Sequence, residues 1–331
     1  MLFIIHYSIR GVVALSNMAA IKGSGAGRMK KQNLLNQIIK NRYIYVLAVP
    51  TVIYFIIFKL MPMFGLVIAF QDYSPAKGIL GSPFVGFKHF MNLFRNKSFP
   101  FIVRNTLVIN GLSLTLFFPL PILLSVMLNE VKHSKYKRVI QSILYMPHFM
   151  SWVIIGSLTF FIFSSDIGLL NKAFAAFGKD KVLFLTNPNY FWAIITGQSI
   201  WREMGWGTIL FLAALAGVDV QLYEAAIIDG AGRLKQIVYI TIPALIPTIV
   251  ILFILRIGNM FDVSLEQINL MQNPLVMNVS EVFDTYSYRT GIREGRYSIG
   301  AAVGMFKSVI AFFMVYAANK VIKKTGNEGI Y

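Results

Sequence analysis

Two stretches of the chain carry side chains suited to holding a ligand. Trp201, Arg202, Glu203 and Trp206 stand together in QSIWREMGWG (198–207), and Arg256, Asn259, Asp262 and Glu266 in RIGNMFDVSLEQ (256–267). On a helix at 100° per residue, Asn259, Asp262 and Glu266 fall within about 60° of one another, with Arg256 the same angle beyond. That is a polar stripe on an otherwise apolar helix. Indole faces stack on apolar ring surfaces, while amides, carboxylates and guanidinium groups hydrogen-bond hydroxyls. An arginine also meets a carboxylate bidentately. Asp262 and Glu266, one turn apart, have the form of an acid/base pair, and Arg202 beside Glu203 that of a local ion pair. Residue types alone leave ligand binding, acid–base chemistry and structural pairing open. No nucleophile–base arrangement accompanies the carboxylates. His6, His89, His133 and His148 are scattered and cysteine is absent, so no metal-ligand cluster is predicted. Asn105, Asn110 and Lys307 are weaker candidates of the same kind.

The elements that must position these residues are membrane helices. Of 331 residues 56% are hydrophobic and only 14% charged, with a mean hydropathy of +0.63. Soluble domains run near 45–50% apolar and about 25% charged. Six stretches, 43–70, 105–129, 139–164, 190–216, 244–265 and 298–319, reach the roughly 20 apolar residues that a bilayer core requires. A charge inside such a span costs about 2.5–3.5 kcal/mol on insertion scales and normally faces a cavity or a partner. The net charge of +17 lies mostly in short loops beside the spans, a pattern of membrane insertion rather than nucleic-acid binding. Gly300 and Gly304 have the small-xxx-small spacing of close helix packing.

Basic residues predict the orientation. Lys22, Arg28, Lys30, Lys31, Lys40 and Arg42 precede the first span, Lys132, Lys135, Lys137 and Arg138 lie between the second and third, and Lys320, Lys323 and Lys324 follow the last. The positive-inside rule then puts both termini in the cytoplasm. The first 20 residues, interrupted by His6 and Arg10, lack the basic start of a signal peptide. A natural start at Met29 and an interfacial helix both fit them. The domains predicted are an N-terminal cytoplasmic or interfacial segment (1–42), a transmembrane domain (43–319) and a basic cytoplasmic tail (320–331). GSGAG (23–27) lacks the following Lys-Ser/Thr of a phosphate loop.

Between the fourth and fifth spans the chain reads EAAIIDGAGRLKQIVYITIPALIP (224–247). Gly230 is placed to end one short helix in the left-handed conformation, and Pro243 to mark a boundary after a second. Ala225, Ala226, Gly230 and Ala231 are small enough to let another protein approach closely.

Glu-Ala-Ala, then Asp-Gly-Ala, then Ile-x-x-Pro resembles the EAA loop of permease subunits in binding-protein-dependent ABC importers. FQDYSPAKGILGSPFVGFKHF (70–90), YMPHFMSWV (145–153), RIGNMFDVSLEQ (256–267) and YSIGAAVGMFKSV (297–309) extend the resemblance to the oligosaccharide-type permeases related to the maltose importer's membrane subunits. Within that group they look most like subunits serving polysaccharide-derived sugars, an alginate-oligosaccharide importer among them. The resemblance implies an all-α membrane protein of about six spans with the type I ABC importer permease fold, in a bacterial inner membrane. It implies that the loop 217–243 is a coupling helix docking on a cytoplasmic ATPase, with Glu224, Ala225, Ala226, Asp229, Gly230 and Pro243 as the coupling residues. It implies a distinct second permease, two ATP-binding cassette subunits that hold ATP and magnesium, and an extracytoplasmic sugar-binding protein docking on the outer loops 71–100 and 266–297. This chain itself is then a non-catalytic permease that binds no cofactor, and its polar stripes line a sugar pathway. An ion-coupled secondary transporter and a membrane-embedded enzyme are the rival readings. The first has no need of the cytoplasmic motif and ordinarily shows internal repeats.

Overall fold

The computed structural model describes residues 41–326 and 329–330. The expectations for residues 1–40 lie outside the described residues. The chain divides into two units, up to Gly65 and from Leu66 to Ile330. Among the described residues no strand occurs, and one isolated antiparallel bridge joins Gln71 to Phe84.

The described part of the first unit is a single apolar helical run, which opens α1 (Arg42–Phe70) and buries none of its side chains between Arg42 and Phe64. The second unit holds α2 (Lys88–Arg95), α3 (Phe99–Asn129), α4 (Ser134–Tyr145), α5 (Trp152–Phe163) and α6 (Pro188–Leu215). It continues with α7 (Val220–Ile228), α8 (Arg233–Gly258), α9 (Leu265–Met271) and α10 (Tyr297–Lys324). Helices α1, α3, α8 and α10 are each long and apolar enough to cross a membrane. Two bent pairs bring the number to six: Ser134–Phe149 with α5 at 99°, and α6 with α7 at 73°.

The 99° bend falls inside the stretch predicted as one span, 139–164. Pro147 sits in a 3-10 turn (Met146–Phe149), Met150 is extended, and the Ser151 hydroxyl accepts from the Ile154 amide at 3.3 Å to start α5. Pro243, by contrast, marks no boundary: α8 runs through it. Proline lacks an N–H and its ring crowds the carbonyl four residues back. Three helices meet this by widening the preceding turn to π geometry. The residue before each proline donates to the carbonyl five back: Met61 to Ile56 before Pro62, Phe118 to Ser113 before Pro119, and Ile242 to Ile237 before Pro243.

Within a bilayer, helices associate through close packing and interhelical hydrogen bonds rather than through the hydrophobic effect. Both devices recur here. A Cβ placed on Gly205 would lie 2.0 Å from the Leu144 carbonyl oxygen, and one on Gly207 2.9 Å from Pro121, so two glycines bring α6 onto α4 and α3. A Cβ on Gly300 would lie 3.0 Å from the Gly291 Cα, whereas one on Gly304 would meet nothing within 4 Å. The buried Gln267 amide donates to the Ile195 carbonyl at 2.9 Å and to Gln198 at 3.0 Å, and Gln198 donates to Thr159 at 2.7 Å. That ladder ties α9, α6 and α5 together.

The segment before α2 is folded by polar contacts. Asp72 accepts from Lys88 at 2.7 Å and lies 3.1 Å from His89 Nε2, while Ser298 of α10 donates to the Gln71 carbonyl at 2.6 Å. The Lys88 hydrogen bond, against some desolvation, holds the Asp72 carboxyl below its ordinary range. A depressed carboxylate adds stability above its unfolded pKa near 3.9 and loses it as pH falls through the lower folded value. Asp72→Asn is therefore expected to speed amide exchange in residues 71–90 at neutral pH, with the difference from the wild type lost as pH falls through the lowered folded value. Equal exchange at neutral pH would show that the contact holds nothing.

Candidate functional site

A cavity of about 470 Å³ opens between α3, α6, α8, the start of α5 and the turn that follows α8. Arg202 and Glu203 form an ion pair on α6, and Glu203 also accepts from His148 Nδ1 at 3.0 Å. A carboxylate only accepts, so Nδ1 carries the imidazole proton. The His148 ring stacks on Trp206 with centroids 4.4 Å apart and planes 5° from parallel. Arg202 donates to the Met150 carbonyl at 3.3 Å and lies 4.7 Å over the Trp152 ring. The bend between α4 and α5 is thus fastened to α6 by one arginine, one glutamate and two indoles. Across the chain, Arg256 in the last turn of α8 donates to the Ser113 hydroxyl and lies 5.5 Å over Phe117. Ser113 and Phe117 are the first and last residues of the π turn that precedes Pro119.

Arg202, Glu203, Trp206, Arg256, Asn259 and Asp262 all line this cavity; Trp201 and Glu266 do not. Trp201 stands 100° around α6 from Arg202. It lines instead a second, mainly apolar cavity of about 480 Å³ with Ile155, Phe163, Phe184 and Tyr190. The single helical stripe expected over 256–266 does not exist. The helix ends at Gly258, Asn259 caps it, and the chain turns before Ser264 caps α9 by accepting from Gln267 N at 3.3 Å. Glu266 consequently points out exposed from the first turn of α9, and its buried neighbour Gln267 lines the cavity. Asp262 is taken up by Lys307 at 2.7 Å, so Asp262 and Glu266 do not form an acid/base pair on one face.

Of the weaker candidates Asn110 lines the cavity, while Asn105 is fully buried and donates to the carbonyls of Asn278 at 3.1 Å and Glu281 at 2.9 Å. Ser113, Phe117, Trp152 and Ser199 also line it and were not singled out by sequence. Pro119, with its preceding Ser-x-x-x-Phe, is the one sequence sign that could have pointed to the first two. Among the described residues no group of three His, Asp or Glu side chains is placed to hold a metal ion.

The short helix α7 is built as a projection. Asp219 starts it by accepting from Gln221 N at 2.9 Å. Gly230, at φ +75°, ends it in a Schellman turn: Ala231 N donates to Ala226 O at 2.8 Å and Gly230 N to Ile227 O at 3.0 Å. Tyr223 bonds Thr241 at 3.0 Å and Gln236 donates to the Ala231 carbonyl at 2.9 Å, which fixes the turn against α8. Yet α7 buries none of its residues. Glu224, Ala225, Asp229 and Gly230 are exposed beside Val220, Leu222, Ile227 and Ile228.

The second unit, with a polar cavity between α3, α6 and α8 and the exposed helix α7 joining two apolar spans, is a membrane permease of the type I ABC importer fold. Residues 119–324 match the binding-protein-dependent transport system inner membrane components, and the chain belongs to that family. It is 48% identical over 302 residues to the polygalacturonan/rhamnogalacturonan transport system permease protein YteP of Bacillus subtilis (strain 168), covering 91% of this chain and 94% of the relative. It is 47% identical over 292 residues to protein LplB of the same strain, covering 88% and 92%. Among solved structures it is similar, at a TM-score of 0.81 and 38% identity, to a chain of a bacterial alginate ABC transporter in complex with alginate pentasaccharide-bound periplasmic protein. That match covers 90% of this chain and all of the other (100%).

Proposed function

We propose that this permease imports oligosaccharides cut from acidic polysaccharides and is driven by a separate ATPase that docks on α7. The observation that carries the reading is α7 itself: a capped, hydrogen-bonded helix with four large apolar side chains and two carboxylates exposed, at a 73° angle to the span before it. An apolar patch rimmed by charge is a protein-docking surface. The chain carries no G-x-x-x-x-G-K-S/T segment of its own, so the nucleotide and its magnesium belong to the partner.

On this reading the α7 end, with both termini, faces the cytoplasm. The segments 71–98 and 265–296 face outward to a sugar-binding protein, and a second, distinct permease completes the pathway. Trp152, Trp206 and Phe117 offer ring faces to the sugar, and Asn110, Ser199 and Asn259 offer amide and hydroxyl groups to its hydroxyls. Closure of the ATPases moves α7, and the rigid Schellman turn passes that movement into α8, which carries Arg256 and Asn259. The polysaccharides named for YteP and for the alginate transporter are both built on uronates, which favours an acidic substrate.

The test is purification from native membranes with the partners identified. A P-loop ATPase is expected to accompany the wild-type chain and to bind the Glu224→Lys variant tenfold or more weakly, at the scale of about 2 kcal/mol for an interface hot spot. An ATPase retained with undiminished affinity by both Glu224→Lys and Ile228→Asp would remove α7 from the coupling path.

A further inference from the structure

Four charged side chains line the cavity, and three of them are matched within the chain. Arg202 is paired with Glu203, Glu203 also accepts a hydrogen bond from His148, and Asp262 is held by Lys307 at 2.7 Å. Arg256 is the exception. It has the Ser113 hydroxyl and the face of Phe117, and among the described residues no carboxylate lies within ion-pair distance of it. Glu203, across the same cavity, attracts Arg256 from a distance but is bonded directly to Arg202 and His148, so the half-buried guanidinium has no carboxylate in contact and a ligand anion supplies one.

We propose that Arg256, and not Arg202, reads the carboxylate of the sugar. This rests on the sugar-import reading above and adds the residue that makes the pathway selective for charge. A guanidinium has five N–H donors in a planar fork that matches a carboxylate bidentately. Ser113 occupies Nη2 alone, and the Phe117 ring at the other end of the π turn lies 5.5 Å from the guanidinium carbon. Asn259, three residues on, lines the same cavity and presents an amide to neighbouring hydroxyls. Arg202 is not available in the same way. Its fork is spent on Glu203, the Met150 carbonyl and the Trp152 ring, and drawing it to a ligand would strand Glu203 and loosen the α4–α5 bend. A neutral sugar of equal size satisfies the hydroxyl contacts but leaves Arg256 unmatched.

The experiment uses the assembled transporter in lipid nanodiscs, without binding protein or nucleotide. Calorimetry measures binding of trigalacturonate and of the same trisaccharide with its carboxyls reduced to alcohols. The wild type is expected to prefer the acidic ligand. Arg256→Gln should lose that preference by about tenfold to a hundredfold, the scale of a charge-assisted bidentate contact, while its affinity for the neutral ligand stays near the wild-type value. Arg256→Lys, which keeps the charge and loses the fork, should fall between the two and stands in if the glutamine variant does not assemble. Arg202→Gln should weaken both ligands and keep their ratio. A preference that survives in Arg256→Gln or is undiminished in Arg256→Lys, or that disappears in Arg202→Gln alone, overturns the assignment and leaves the import reading standing. A wild type that binds neither trisaccharide overturns this inference, and one that also fails to import them with binding protein and ATP added overturns the import reading as well.

Discussion

Gly205→Ala is expected to break the crossing of α6 over the end of α4. The added Cβ would lie 2.0 Å from the Leu144 oxygen, 2.5 Å from its carbonyl carbon and 3.1 Å from the Tyr145 nitrogen. All three are backbone atoms of a helix end and cannot swing aside as a side-chain tip does. Overpacking commonly costs about 1–3 kcal/mol where neighbours can shift, and this site belongs at or above that limit. The position also lies between Glu203 and Trp206. Any displacement of α6 that relieves the clash draws Glu203 from His148 and Trp206 from its stack on the same ring. Thermal unfolding in mild detergent should show a graded series. Gly205→Ala loses most; Gly207→Ala loses less, because its new Cβ meets the edge of the Pro121 ring at 2.9 Å; Gly304→Ala, with open space around it, stays within about 0.5 kcal/mol of the wild type. A Gly205→Ala protein that melts with the wild type would show that α4 and α6 do not approach this closely.

Gly205 also marks where sequence reading ends. Hydropathy located the spans, and the turn at Gly230 was legible, since an Asp-Gly pair after helix formers calls for a left-handed cap and Gly230 has φ +75°. Local rules failed where a second local rule overrode them. Proline ordinarily ends a helix, but a π turn carries α8 through Pro243. The stripe over 256–266 applied the 100° period across Gly258-Asn259 and Ser264, a stop signal and a start signal that were both in the sequence. Crediting them would have separated Glu266 from the cavity and drawn attention to Gln267. The break in 139–164 was likewise written in Pro147 and Ser151. Long-range pairings were out of reach for a different reason. Arg256 meets Ser113 across 143 residues, and Lys307 meets Asp284 across 23, with nothing at either position that names its partner. Charge types predicted that Arg202, Glu203, Arg256 and Asp262 would matter, but only the fold tells which of them are already matched.

Lys307→Met is the second large effect expected, and it separates structural charge from ligand-directed charge. Lys307 is 9% exposed within α10. Its Nζ lies 2.5 Å from Asp284 and 2.7 Å from Asp262, and the other Asp284 oxygen accepts from Val263 N at 2.9 Å. One cation therefore fastens the turn after α8 and the short helix Phe283–Ser287 onto α10. Removing it leaves two carboxylates facing each other. Breaking a buried pair by deleting one partner costs about 3–5 kcal/mol, mostly through the charge left behind. The two carboxylates should not share that cost equally. The Asp262 side chain is 62% exposed and can be hydrated; the Asp284 side chain is 26% exposed and cannot be to the same degree. Asp262→Asn should therefore cost less than about 1 kcal/mol, in the range of an exposed pair. Adding Asp284→Asn to Lys307→Met should recover much of the loss, because it removes the stranded charge and not merely the pair. Unfolding of the wild type, Lys307→Met, Asp284→Asn and the double variant, a complete double-mutant cycle, reads this directly. Strictly additive effects, or a Lys307→Met protein as stable as the wild type, would show that α10 and the turn are held by packing alone. Recovery in the double variant would instead mean that the turn bearing Asn259 and Asp262 is set by Lys307 before any substrate arrives, which leaves Arg256 as the cavity cation still open to one.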